Sequence, residues 1–66
     1  MDSDWSEIHR GGSLPHAHLL KSYLEENGIK AVILNQQDSS YLSLGDIIIY
    51  VSKSHLVKAK WLLDNF

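Results

Sequence analysis

The stretch GDIIIYV, Gly45 to Val51, decides the fold, because it reads as a strand that is apolar on both sides. A strand with one wet face alternates apolar and polar residues, since successive side chains point to opposite sides of a sheet. Here Ile47, Ile49 and Val51 line one side while Ile48 and Tyr50 line the other, so both faces of this strand call for cover. Working outward, IKAVILN (29–35) reads as a neighbouring strand, separated from it by the polar loop QQDSSYLSLG (36–45). The two strands pair as an antiparallel hairpin.

Before this hairpin, SLPHAHLLKSYLEEN (13–27) reads as a helix. Ser13 is a suitable cap, Pro15 lies in the first turn where a missing N–H costs little, and Gly28 follows the end. At about 100° per residue, Ala17, Leu20 and Leu24 form an apolar centre flanked by Leu19 and Tyr23. After the hairpin, SKSHLVKAKWLLDNF (52–66) reads as a second helix capped by Ser52 or Ser54, with Leu56, Ala59, Leu62, Leu63 and Phe66 on one arc. The first element, DWSEIHR (4–10), reads as a short strand with Ile8 on one side and Trp5, Glu7 and His9 on the other. A glycine pair breaks it.

The order is therefore strand, helix, strand, strand, helix in a single domain, 1–66. A right-handed crossover places the first and second strands parallel with the third between them, and lays both helices on one face. The expected fold is α+β: a ferredoxin-like α/β plait of β-α-β-β-α order, lacking the last strand, with a three-stranded antiparallel sheet and two helices on one face.

Composition sets further bounds. Sixty-six residues make one small core, and the absence of cysteine leaves neither a disulfide nor a thiolate metal site to reinforce it. Eight acidic and six basic residues give a net charge of −2, too weak a field to draw nucleic acid or an anionic membrane. No apolar run approaches a membrane span, and the acidic start MDSDWSE lacks the features of a signal peptide. The expectation is a cytoplasmic protein without nucleic-acid or membrane partners.

The run AHLLKSYLEENGIKAVILNQQDSSY, followed by LGDIIIYV and VKAKWLL, resembles a family of small bacterial proteins of unknown function described as putative prokaryotic signal-transducing proteins. The resemblance covers most of the chain from about Trp5. It implies an α/β plait similar to that of nitrogen-regulatory signalling proteins and no established catalytic residues; no cofactor is expected.

The candidate chemistry is sparse. His16 and His18 lie two apart, about 200° from each other on a helix, so they do not close on one ion as an i, i+4 pair does, although His9 or His55 could join one of them in space. Ordinary surface histidines are the plainer alternative. HRGGSLPH (9–16) puts glycines before a helix N-terminus, which either cradles an anion or is a plain strand-to-helix turn; the full phosphate-binding patterns are missing. Asp38, Ser39, Ser40 and Tyr41 offer a candidate ligand loop, yet no histidine nearby in sequence would activate a serine, and hydrogen bonds within the loop are the alternative. The chain is not expected to be an enzyme.

The bare sheet face remains. Trp5, His9, Val32, Leu34, Ile48 and Tyr50 are candidates for it, and Val57 with Trp61 adds an apolar pair on the outer side of the last helix. Which side of the second strand points outward stays open, Val32 and Leu34 or Ala31 and Ile33. Burying a large apolar side chain contributes about 1.5–3 kcal/mol, so four give roughly 6–12 kcal/mol, comparable with the whole stability of a small domain. That favours a regulatory or interaction module that self-associates, or binds a partner protein, through the open face or the first strand's edge. The alternative is a monomeric sensor binding a small ligand on the same face.

Overall fold

The structure, a computed structural model, describes residues 4–36 and 46–66. The Asp38, Ser39, Ser40, Tyr41 loop lies outside the described residues. Among the described residues, three strands and two helices follow the order β1 (Trp5–Arg10), α1 (Leu14–Glu26), β2 (Ala31–Asn35), β3 (Ile47–Ser52) and α2 (Leu56–Asp64), with a short 3-10 turn, Lys53–His55, leading into α2. The strand order is β1-β3-β2, and both pairings are antiparallel. This is the α+β arrangement read from the sequence, with IIIYVS supplying the middle strand.

Alternation along β3 sorts the layers. Ile47, Ile49 and Val51 are fully buried and share one core with Ala17, Leu20 and Leu24 of α1 and Ala59 and Leu62 of α2, so both helices lie on the same face. The pairings Ala31 with Val51 and Ile33 with Ile49 add those two residues of β2 to the helix side. Val32 and Leu34 therefore point outward, which resolves the open choice of register.

Local signals fix α1 at both ends. The Ser13 hydroxyl accepts a hydrogen bond from the His16 N–H at 3.2 Å, satisfying one of the free donors of the first turn. At the other end Gly28 takes φ +83, a left-handed conformation that costs a residue with a Cβ about 1–2 kcal/mol. The Gly28 N–H then donates to the Glu25 carbonyl and the Ile29 N–H to the Leu24 carbonyl, each at 3.0 Å. Leu24 and Ile29 are both fully buried, so the chain reversal is also a core contact. This is why β2 begins at Ala31, two residues later than the apolar pattern alone indicates: Ile29 closes the helix end instead.

The serine caps expected for the last helix do not form. Neither Ser52 nor Ser54 caps α2; their hydroxyls bond each other at 3.0 Å, and the 3-10 turn carries the chain into the helix instead. Tyr23 and Phe66 rings meet at 4.7 Å between centroids, joining α1 to the chain end beyond α2, and the Lys58 ammonium donates to the Asn27 carbonyl at 3.3 Å.

Candidate functional site

The candidate surface has to be built strand by strand. The cross-strand pairs Trp5 with Ser52, Glu7 with Tyr50 and Arg10 with Ile48 put Trp5, Glu7, Arg10, Ile48 and Tyr50 on the face away from the helices, and Val32 and Leu34 join them from β2. His9 does not, and this corrects the strict alternation assumed along β1. The register slips between Glu7 and His9, so His9 stands opposite Ile49 on the helix side, next to Ile8. An extra residue in one strand turns every later side chain to the other face.

Once inside, His9 meets α1. Its ring lies 5.9 Å from the His16 ring, tilted by 57°, and its Nε2 is buried without a hydrogen-bond partner. Gly12, at φ +79, lies in this corner: a Cβ there would sit 3.6 Å from His16 Cδ2 and 3.9 Å from His9 Nε2. The structure thus pairs His9 with His16, while no group of three or more histidines and carboxylates able to hold a metal occurs among the described residues.

The open face itself is less greasy than its sequence implies. Ile48, flanked by Arg10 and Leu34, is only 1% exposed, whereas Leu34 is 40% exposed. The Arg10 guanidinium reaches both carboxylate oxygens of Glu7, at 2.8 and 3.1 Å, and Asp46 at 3.1 Å. These charge-assisted bonds hold the Glu7 carboxyl below its usual value, the Arg10 hydrogen bond being the largest cause, and push Arg10 further up, chiefly through Glu7 and then Asp46. All three side chains are nearly half exposed, so the triad orients the surface more than it stabilises the fold. Sequence reasoning missed it because the bulge brings Glu7 and Arg10 to one face.

The face therefore divides into an ionic part along β1 and an apolar part made by Trp5, Tyr50, Val32 and Leu34. Val57 and Trp61 form a separate patch, 83% and 63% exposed, because they project from α2 directly away from Ala59 and Leu62, on the other side of the molecule. No cavity is lined by the described residues.

A family model described as "Putative prokaryotic signal transducing protein" matches residues 5–66. The chain belongs to this family. The matched span takes in all three strands and both helices described above. No curated protein and no solved structure matches the chain. Among the described residues, no helix is long and apolar enough to cross a membrane.

Proposed function

We propose that this domain is a small regulatory or protein-interaction module of a bacterial signalling system, acting in the cytoplasm by self-association through its sheet and not by catalysis. One observation carries the reading: both helices shelter a single face, and among the described residues no helix or strand lies over the other, where Trp5, Val32, Leu34 and Tyr50 keep part of their apolar surface in water. Partly exposed apolar residues gathered on one sheet face are a common basis for association. The family description supports the signalling part of the reading alone, and the cysteine-free chain is suited to a reducing compartment. The small-ligand sensor shares this face and has no feature of its own to favour it.

Sedimentation velocity over a wide range of protein concentration tests the reading. The expected result is a sedimentation coefficient that rises with concentration toward that of a dimer. A single monomeric species throughout would overturn it.

A further inference from the structure

Because β3 occupies the centre, β1 and β2 each have, among the described residues, one side without a neighbouring strand. The two edges are not equivalent. On β1 the register slips between Glu7 and His9, which breaks the two-residue rhythm of its outward main-chain groups, and the Glu7–Arg10 ion pair lies on the same strand. A bulge and charged side chains are common devices that keep an edge from pairing with another chain.

The β2 edge has neither device. Its register with β3 runs from Ala31 to Asn35 without a shift, and AVILN contains no charge, proline or glycine. The Gln36 N–H donates to the Asp46 carbonyl at 3.0 Å, which fixes the phase of the ladder. Val32 and Leu34 accordingly turn their main-chain groups toward β3, while Ala31 and Ile33 turn theirs away from the sheet.

The flank of α1 above this edge supplies an independent observation. His16 and Tyr23 share one flank of the helix, and their rings face His9 of β1 and the terminal Phe66. Lys21 and Glu25 lie on the opposite flank, toward the outer side of β2, joined to each other at 3.1 Å. Such a flank is complementary in charge to an antiparallel copy of itself.

We infer that a second copy of this chain pairs with the β2 edge, antiparallel about a two-fold axis near Val32, so that the two sheets become one. This rests on the self-association reading and says which edge carries it. In this register the N–H and C=O of Ala31 bond those of the partner's Ile33, and the symmetry repeats the exchange. Val32 meets the partner's Val32 on the open face, extending the apolar strip. The two α1 helices run side by side, with Lys21 of one against Glu25 of the other; a two-fold contact requires a patch that matches itself in this way. Exposed pairs of this kind add little affinity but select the register.

Residue-resolved amide hydrogen exchange of the full chain, at concentrations below and above the association seen by sedimentation, tests the inference. The Ala31 and Ile33 amides should slow roughly tenfold or more at the higher concentration, while the outward amides of Trp5 and Glu7 stay unchanged. Lys21→Glu alone and Glu25→Lys alone should each shift the chain toward monomer, and an equimolar mixture of the two should restore the dimer. A dimer that protects Trp5 and Glu7, or protects neither edge, would overturn this inference and leave self-association standing, as would a mixture that fails to restore association. A strict monomer would overturn both.

Discussion

Ile48 provides a sharp test of how the open face is built. It lies on the side away from the helices, yet it is 1% exposed within a single chain. Its cover therefore belongs to its own chain, and truncation removes buried contacts from the folded monomer. Ile48→Ala deletes three carbons at about 0.8 kcal/mol each, and the cavity left behind raises the loss to about 3 kcal/mol. A domain of this length has a total stability of only ~3–10 kcal/mol, so the alanine variant lies close to unfolding. Ile48→Val is the better probe, with an expected loss of about 1 kcal/mol. Urea denaturation followed by far-UV circular dichroism and tryptophan fluorescence reads this change, at two protein concentrations roughly a hundredfold apart so that any dimer contribution separates by mass action. The loss should be the same at both. A change within about 0.2 kcal/mol of zero would refute the burial, and a loss seen only at the higher concentration would show that a second copy supplies the cover.

Three further outcomes follow from the same geometry. Gly28→Ala should cost about 1 kcal/mol, lowering the thermal midpoint by about 4–8 °C, because φ +83 is strained for alanine although its Cβ meets nothing within 4 Å; an unchanged midpoint would contradict the helix-end conformation. The Glu7 carboxyl is held down by Arg10, so its contribution to stability is full above the ordinary glutamate value of about 4.3 and is lost as pH falls through the lower folded value; the stability difference between wild type and Glu7→Gln should therefore shrink on acidification, and a pH-independent difference would count against the ion pair. Trp61→Ser should move the urea midpoint by no more than about 0.5 kcal/mol in stability, since the side chain is 63% exposed; a larger loss would mean that Trp61 belongs to the core.

Much of the fold is legible because its signals are local. Ser13 and Gly28 mark the ends of α1 through hydrogen bonds that reach only a few residues, so a short window of sequence contains them. The split of β3 into Ile47, Ile49 and Val51 against Ile48 and Tyr50 is local too, while packing sets which side meets the helices. Val57 and Trp61 are also readable as exposed, since the helical repeat alone sets them opposite Ala59 and Leu62. The start of α2 is different. Ser52 and Ser54 look like caps in sequence, but a 3-10 turn intervenes and their hydroxyls bond each other.

The candidate surface divides along the same line. Its apolar part on β2 waited on one choice between two registers, which pairing with β3 decides in favour of Val32 and Leu34. Strict alternation puts His9 on the open face, and it fails there because a bulge is a property of two strands together: nothing within WSEIHR marks the residue at which β1 slips against β3. The slip turns His9 toward His16 and sets Glu7 and Arg10 side by side.

By itself, then, the sequence determined the order of elements and the ends of α1, since each depends on residues within a few positions of one another, and the handedness of the crossover set the all-apolar strand in the centre. Tertiary structure alone decided the bulge, the cover of Ile48 and the difference between the two sheet edges. These depend on which residues of distant strands come to lie opposite each other, and strand pairing, unlike a helix cap, is fixed by neighbours that the chain brings together only when it folds.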